Sequence, residues 1–328
     1  MSKLESVPII PLLFATLLSA HGLRKKSLSP GGAATAFIVG LLMMAGGVKV
    51  FGVSLIVFYL TGSRATKLGK QRKAQLEDGY HEAGYRSGWQ VLSNSFAAFV
   101  ACVLWNILFS QGSLQASLIL VFGTDFRDGL INTLGLESQG LPEYGDGGSW
   151  CPVDQQIAGG WSRLFIFATL GHFGCCLGDT LASELGILSP SKPVLITSLK
   201  PVPPGTNGGM SVGGTLASVA GGLIIGTTMS TCLILENSKC RADWMSLIPT
   251  MIFWGAMAGG TGSLLDSFLG ATVQQTKFSE SKKLILQDNS TPTGSLKVIS
   301  GMNILTNNQV GVRYIFDWMF SDGTNIPT

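Results

Sequence analysis

Acidic residues interrupt two long apolar stretches of this chain. Asp179 and Glu184 lie in the segment CLGDTLASELG, and Asp266 lies in GGTGSLLDSFLGATVQ. An ionised carboxylate inside a membrane costs at least ~2.5 kcal/mol on insertion scales. The basic residue of the first stretch, Arg163, is about four helical turns from Asp179, too far to pair with it. A bound cation or protonation must therefore stabilise these acids.

The residue types around the acids suit a magnesium site. Mg²⁺ is typically held by one or two carboxylates together with substrate phosphates. Asp179 and Ser183 are four residues apart, as are Thr180 and Glu184, so a helix presents them as one polar strip. We therefore expect three catalytic, metal-binding carboxylates, Asp179, Glu184 and Asp266. Thr180 and Ser183 are expected in the substrate site. The alternative is that the acids lie at the membrane rim and are hydrated.

A glycine-rich loop precedes the next apolar stretch, in KPVPPGTNGGMSVGGTLAS from Lys200 to Ser218. Free backbone N–H groups at the start of a helix favour anions. No GKS or GKT follows the glycines, which disfavours a P-loop ATPase fold. The expected phosphate-binding residues are Gly205, Thr206, Asn207, Gly208 and Gly209. The alternative is an ordinary loop with a helix cap.

Basic residues cluster between Ser63 and Ser95. Lys70 belongs to a face of basic residues at helical spacing. Arg86, Gln90 and Asn94 are successive four-residue steps, which predicts a polar helical stripe that enters an apolar stretch. A guanidinium group is well shaped for bidentate contact with phosphate. We expect these four residues to bind substrate, and most of the remaining basic residues to be a membrane flank without further function.

Amide side chains recur near the C-terminus, in GMNILTNNQV. Asn303 and Asn307 share one face of a helix. Such amides in an apolar context either bind a headgroup or bridge helices, and the bridging interpretation is slightly favoured. Asn303 is kept as a substrate-binding candidate.

The composition is that of a multi-pass membrane protein. Charged residues make up 12% of the 328 residues, about half of the ~25% typical of globular proteins. Hydrophobic residues make up 46%, and the mean hydropathy is +0.37. The net charge of +3 is no signature of nucleic-acid binding. The chain has no Cys/His cluster with zinc spacing and no G-x-S-x-G element, which disfavours zinc chemistry and Ser/His hydrolysis.

The apolar stretches predict an all-α fold, a polytopic membrane helix bundle forming one transmembrane domain over 1–328. A transmembrane helix needs roughly 17–25 mostly apolar residues, so we expect about seven to eight spans. The candidate spans are 6–22, 31–46, 48–62, 90–110, 160–187, 210–235 and 245–271, with 296–320 as a weaker eighth.

Lysine and arginine favour one orientation of these spans. With the N-terminus outside, 15 of the 22 basic residues fall in loops 23–30, 63–89, 188–209 and 272–296 or at Lys297. These loops are expected in the cytosol. The acidic loop 111–159 is expected on the opposite side, together with Cys151 and Cys240. We hypothesise that these two cysteines pair, since that compartment would be oxidising. Two free thiols are the alternative.

Four motifs together resemble one family of integral membrane proteins. They are GDTLASELG, VPPGTNGGMSVGGTLAS, GSLLDSFLGATVQ, and TKLGKQRK with RSGWQVLSNS. The family contains animal transmembrane protein 19 and plant phytyl-phosphate kinase. The resemblance covers about 10–310, whereas the loop 124–157 and the tail after Val310 match no motif.

The resemblance implies an enzyme. The plant member transfers a phosphoryl group from a nucleoside triphosphate to an isoprenoid monophosphate. By analogy, we expect a Mg²⁺-dependent kinase that uses CTP or ATP to phosphorylate a prenyl- or phytyl-type monophosphate. The expected partners are the lipid bilayer, the nucleotide and the isoprenoid phosphate, without nucleic acid. The expected location is an endomembrane such as the endoplasmic reticulum, with catalytic loops in the cytosol.

A second function fits the same acids. Intramembrane carboxylates and glycine-broken helices also mark ion pathways, so the alternative is a transporter or ion-coupled carrier without kinase activity. Carrier sites lie near the membrane midplane between repeats, whereas the acids here lie close to the predicted cytosolic ends of their spans. No clear inverted repeat is visible, and both observations favour the kinase.

Overall fold

Helices dominate the computed structural model, which describes residues 8–78, 85–120, 125–137, 141–145, 148–281, 284–286 and 295–304. The chain divides into two compact units. The first unit comprises Met1–Phe58, Arg86–Phe173 and Ile225–Trp254. The second unit comprises Tyr59–Tyr85, Gly174–Ile224 and Gly255–Thr328. Four of the boundaries between the units fall inside helices, which are Val50–Lys67, Trp161–Gly186, Val212–Glu236 and Trp244–Val273.

The helices of the described part are α1 (Ile9–Arg24), α2 (Pro30–Met44), α3 (Val50–Lys67), α4 (Lys70–Ala74), α5 (Gly88–Ser93), α6 (Phe96–Phe109), α7 (Leu114–Leu120), α8 (Asp125–Thr133), α9 (Trp161–Gly186), α10 (Val212–Glu236), α11 (Ser238–Ala242) and α12 (Trp244–Val273). The long helices lie in the apolar stretches, whereas the short helices α4, α8 and α11 are polar. By length and composition, two helices of the described part are long and apolar enough to cross a membrane. They are α9 together with the 3-10 turn before it, Ile157–Gly186, and α10, Val212–Glu236. The larger number of spans therefore stays a prediction.

The fourth candidate span, 90–110, is not one helix. It is broken between α5 and α6 at Asn94 and Ser95. The Ser95 hydroxyl donates a hydrogen bond to the carbonyl of Val91, and such side-chain bonds to the backbone compete with helix continuation. The short apolar piece 114–122, too short to span alone, contains the separate helix α7.

A buried aromatic cluster forms much of the core of the first unit. Trp105 and Phe109 of α6 contact Tyr144 and Trp150, with ring centroids 5.3 to 6.2 Å apart among these side chains. Edge and tilted contacts of this kind stabilise beyond the area that they bury. Trp105 Nε1 also donates to the hydroxyl of Ser162 at the start of α9. The cluster therefore anchors part of the 111–159 loop against α6.

Cys151 and Cys240 are joined by a disulfide bond, which confirms the hypothesis of their pairing. Beside it, the buried side chain of Asn237 caps α11 by accepting from the backbone N–H groups of Lys239 and Cys240. The Asn237 amide also donates to the Tyr144 hydroxyl and the Trp150 carbonyl. Burial raises the pKa of the Tyr144 phenol. The disulfide and the cap together fasten 144–151 to α11.

Glycines let three helices of the second unit approach closely. A Cβ atom at Gly178 of α9 would lie 2.6 Å from Gly259 Cα of α12 and 2.9 Å from the Ser218 carbonyl oxygen of α10. Gly222 likewise contacts the backbone of Gly255 and Gly259. Each helix thus contributes a pair of small residues four positions apart, the pattern typical of tightly packed membrane helices. This packing brings the acid-bearing segments of α9 and α12 together.

The second unit also contains β-structure, so the expectation of a purely α-helical fold is corrected to a mostly helical one. The strands are β1 (Glu77–Asp78), β2 (Val194–Leu195), β3 (Gly209–Met210), β4 (Thr276–Ser279), β5 (Leu284–Leu286) and β6 (Leu296–Ser300). One sheet has the order β1-β5-β4-β6, and β2 pairs antiparallel with β3. The predicted eighth span is wrong at its start, because residues 296–300 form β6. The remainder of that span beyond residue 304 lies outside the described residues.

Candidate functional site

A polar cavity of about 380 Å³ lies within the second unit. The C-terminal turns of α9, the N-terminus of α10, the C-terminal half of α12 and β5 contribute to its walls. Of the residues expected from the sequence, it is lined by Asp179, Ser183, Gly205, Thr206, Asn207, Gly208, Gly209 and Asp266. The structure therefore brings together two acids and the residues Gly205 to Gly209 of the glycine-rich loop, which lie far apart in the sequence.

Asp179 and Asp266 both line the cavity and lie next to each other in its wall. Their carboxyl groups lie within hydrogen-bonding distance of each other. Two ionised carboxylates at this separation repel, so the pair must share a proton or bind a cation. Two carboxylates beside an open polar space are the oxygen donors that Mg²⁺ takes when phosphates complete its coordination. Within the described residues, no group of three or more His, Cys, Asp or Glu side chains could hold a metal ion.

Glu184 has a different partner. Its carboxylate lies 2.5 Å from the ammonium group of Lys73, which also donates to the carbonyl of Ala65. The Lys73 side chain is 2% exposed and that of Glu184 is 23% exposed. Glu184 does not line the cavity. A lysine that the sequence had assigned to the membrane flank thus stabilises Glu184, and no metal ion is needed to explain this acid.

The glycine-rich loop is held by its own hydrogen bonds. The Thr206 N–H donates to the Pro203 carbonyl, and the Gly209 N–H donates to the Thr206 carbonyl. The Asn207 N–H donates to the hydroxyl of Thr276 in β4. Gly208 has a φ of +76°, and a Cβ atom there would lie 2.5 Å from Ala271 Cβ of α12. Glycine is therefore required at this position, both for its backbone conformation and for the close approach.

The N-terminus of α10 opens onto the same cavity. Ser211, the residue before this helix, accepts a hydrogen bond from the Gly214 N–H and donates to the Gly186 carbonyl of α9. Ser211, Gly214 and Thr215 all line the cavity. The first-turn N–H groups of a helix lack intrahelical acceptors and carry partial positive charge, which favours phosphate. The described part of the lining contains no Lys or Arg.

Several predicted substrate-binding residues do not line the cavity. Thr180 donates its hydroxyl to the Cys176 carbonyl, Lys70 begins α4, and Asn303 is exposed. Asn307, the proposed neighbour of Asn303, lies outside the described residues. These assignments stay predictions.

The predicted stripe of Arg86, Gln90 and Asn94 belongs to the first unit. The prediction that the three residues share one helical face is wrong. Arg86 lies before α5 and forms a backbone β-bridge with Leu28, and Asn94 is the C-cap residue of α5. Gln90 instead forms a capping box with Ser87. A role of these side chains in binding substrate is untested.

The sequence reasoning missed two amides of the cavity, Gln274 and Gln275. They follow directly after α12, and Asp266, Gly270 and Gln274 are spaced four residues apart along one wall. That spacing is the signal that could have found Gln274. The apolar residues Ile285 and Leu286 of β5 complete this end of the cavity.

Comparison with known proteins places the chain among integral membrane proteins. The family model described as "Integral membrane protein DUF92" matches residues 13–315. Protein PGR of Arabidopsis thaliana is 32% identical over 99% of both chains. An uncharacterized membrane protein of Synechocystis, sll0875, is 25% identical over 76% of this chain and 73% of its own length. Another, MJ0933 of Methanocaldococcus jannaschii, is 34% identical over 34% of this chain and 42% of its own length. No solved structure matches. These matches agree with the family that the four motifs indicate.

Proposed function

The chain belongs to the DUF92 family of integral membrane proteins, and from this we propose that it is a membrane kinase for an isoprenoid monophosphate. The phosphoryl donor is a nucleoside triphosphate, CTP or ATP, and the product is the isoprenoid diphosphate. The observation that carries the proposal is the meeting of Asp179 and Asp266 in a cavity that is also lined by the glycine-rich loop and the N-terminus of α10.

Each wall of the cavity supplies one requirement of phosphoryl transfer. The reaction needs charge neutralisation and in-line positioning more than covalent participation by the protein. The α10 N-terminus and the amide of the Asn207 side chain can hold phosphate oxygens by hydrogen bonds. Asp179 and Asp266 are the residues that would hold Mg²⁺, which when bound neutralises the charge of the phosphates. The described lining of the cavity contains no Lys or Arg, and a bound cation and backbone dipoles are the proposed source of this neutralisation.

No protein base is required for this reaction. The acceptor is a phosphate monoester that is already ionised near neutral pH, so its oxygen attacks the γ-phosphorus without loss of a proton to a side chain. The bond from the γ-phosphorus to the bridging oxygen breaks, and the nucleoside diphosphate leaves with that oxygen. The role of the protein is to orient two anionic groups and to exclude competing water.

The hydrophobic part of the substrate lies in the bilayer. Leu264, Leu265 and Phe268 lie on the cavity-bearing segment of α12 and are between 42% and 50% exposed, a surface that suits lipid. The basic loops 23–30, 63–89, 188–209 and 272–296 are assigned to the cytosol, where nucleotide is available. An endomembrane such as the endoplasmic reticulum is the proposed location.

Phosphoryl transfer by the purified full-length protein tests this proposal. Labelled CTP or ATP is supplied with phytyl, farnesyl or geranylgeranyl monophosphate, and diphosphate is the expected product. EDTA should abolish transfer, and Asp179→Asn or Asp266→Asn should lower it by about 100-fold or more, the scale of losing one electrostatic contact to the transition state.

The exposed Asp243 of the first unit provides the matched control, since Asp243→Asn removes the same charge at a distant position in the sequence. This variant should retain wild-type transfer. Wild-type rates in Asp179→Asn or Asp266→Asn would refute the site. Absence of transfer to any prenyl phosphate would refute the kinase and favour an ion-coupled carrier.

A further inference from the structure

The cavity extends along α12 away from the two acids. Asp266, Gly270 and Gln274 all line it and are spaced four residues apart. At 1.5 Å per residue, the amide end lies about 12 Å from the carboxylate end along the helix axis. An extended triphosphate with its sugar separates the terminal phosphate from the base by a distance of this order. A nucleotide with its terminal phosphate at Asp266 therefore reaches Gln274.

Gln274 carries a polar side chain in a buried position. The residue is 6% exposed, yet it lines the cavity. Among the described residues, neither its side-chain amide nor that of Gln275 makes a hydrogen bond. The Gln274 amide is not one of the fully buried side-chain groups without a partner, so it is accessible from the cavity. A ligand with complementary donors and acceptors is the natural partner here.

The backbone around Gln274 is fixed by neighbouring segments. The N–H groups of Met302 and Ile304 donate to the Thr272 and Val273 carbonyls, which caps the end of α12. Gly301 has a φ of +73° and packs directly on the Gln274 backbone, where a side chain would collide. A backbone fixed in this way limits the positions that the Gln274 side chain can reach, which favours discrimination between ligands.

Apolar side chains complete this end of the cavity. Ile285 and Leu286 lie on β5 and line the cavity. β5 pairs with β4, where Phe278 is opposite Ile285 and Lys277 is opposite Leu286. A nucleobase has apolar faces and a hydrogen-bonding edge, the combination that these aliphatic and amide groups match. A lipid tail would leave both amides unsatisfied.

We propose that Gln274 and Gln275, with Ile285 and Leu286, form the base-binding end of the cavity and determine which nucleoside triphosphate is used. The assignment rests on the proposed kinase function. It adds specificity-determining residues at the opposite end of the cavity from the acids.

Nucleotide selectivity measures this assignment. The purified full-length protein and the variants Gln274→Leu and Gln275→Leu are compared for kcat/KM with CTP, UTP, ATP and GTP. At least one variant should lower the ratio between the best and the poorest nucleotide by about 10-fold or more, since lost hydrogen bonds remove discrimination. Gln155→Leu, at an exposed position of the first unit, should keep wild-type selectivity.

A second measurement uses the unaltered protein, so it does not depend on folding of the variants. A nucleoside triphosphate with a photoreactive azido group on its base should label a peptide within 274–286. Labelling confined to other segments, or wild-type selectivity in both glutamine variants, would overturn the base site alone. Failure of the wild-type protein to bind any nucleotide would instead overturn the kinase proposal, and the base site with it.

Discussion

Three acids of similar sequence context have two different environments. Asp179 and Asp266 lie against each other in the cavity wall, whereas Glu184 pairs with Lys73. The carboxylate pair has excess negative charge and requires a cation or a proton, while the Glu184 pair is neutral as it stands. Only the first arrangement leaves an electrostatic demand that a bound ion can satisfy.

Removal of one partner of the Lys73–Glu184 pair should destabilise the second unit. Lys73→Met leaves a largely desolvated carboxylate without its cation, so a loss of about 2 kcal/mol or more in unfolding free energy is expected. Thermal unfolding of the detergent-solubilised protein measures the loss. The double swap Lys73→Glu with Glu184→Lys should recover part of it.

Arg72→Met is the neighbouring control, because Arg72 is exposed. It should leave the midpoint of unfolding nearly unchanged. An equal loss in Arg72→Met and Lys73→Met would contradict a specific role of the ion pair.

The thiol count distinguishes bonded from free cysteines. Cys102, Cys175, Cys176 and Cys232 form no disulfide bond in the structure, and Cys151 is joined to Cys240. Alkylation of the denatured, unreduced protein should therefore modify four thiols, and alkylation after reduction should modify six. Mass spectrometry reads both numbers. Six modified thiols before reduction would show that the disulfide does not form.

Sequence reasoning found the acids of the cavity but not the partner of Glu184. Carboxylates stand out in an apolar stretch, so Asp179 and Asp266 are conspicuous without a structure. Lys73 is one basic residue among many in its segment and is 111 positions from Glu184. Nothing local marks which lysine folds back to bury its charge, because that choice depends on how α4 packs.

At the scale of elements, the helix crossing in the second unit depends on glycine. Gly178 of α9, Gly222 of α10 and Gly259 of α12 meet where a side chain would collide with backbone atoms. In lipid, close backbone contact replaces the hydrophobic effect as the source of helix association. The crossing therefore holds the two acid-bearing helices at the separation that the carboxylate pair requires.

Adjacent glycines of α12 give a matched test of this crossing. A Cβ atom at Gly259 would lie 2.8 Å from Gly222 N and 3.0 Å from Gly222 Cα, whereas one at Gly260 would meet only Val219 Cγ2, at 3.4 Å. Gly259→Ala should cost about 1–3 kcal/mol of unfolding free energy through overpacking. Gly260→Ala should be neutral or slightly stabilising, since alanine is the better helix former. Equal unfolding midpoints for the two variants would argue against a tight crossing.

The β-strands show where pattern reasoning ends at this scale. β1 has two residues and β5 has three, too few for an alternating apolar pattern to be recognised. β6 begins a stretch that the apolar content had assigned to a helix. β5 and β6 form by pairing with β4, and β1 forms by pairing with β5, a tertiary cause that the local sequence does not carry.

At the scale of the whole molecule, membership in a membrane family and a polar cavity have to be reconciled. A soluble kinase receives both substrates from water, whereas an isoprenoid phosphate keeps its tail in lipid. The apolar helices and the polar cavity of the second unit, lined by acids, hydroxyls and helix-terminal amides, fit the proposed transfer between these two kinds of substrate. The proposed kinase activity therefore depends on a divalent cation at Asp179 and Asp266.

Binding of Mn²⁺, a spectroscopic substitute for Mg²⁺, is the most direct test of that dependence. Electron paramagnetic resonance of the purified full-length protein with nucleotide should show a bound Mn²⁺ signal that Mg²⁺ displaces. Asp179→Asn and Asp266→Asn should each weaken this binding by about 10-fold or more, while Asp243→Asn should leave it unchanged. Equal Mn²⁺ binding by the wild type and both cavity variants would contradict the account.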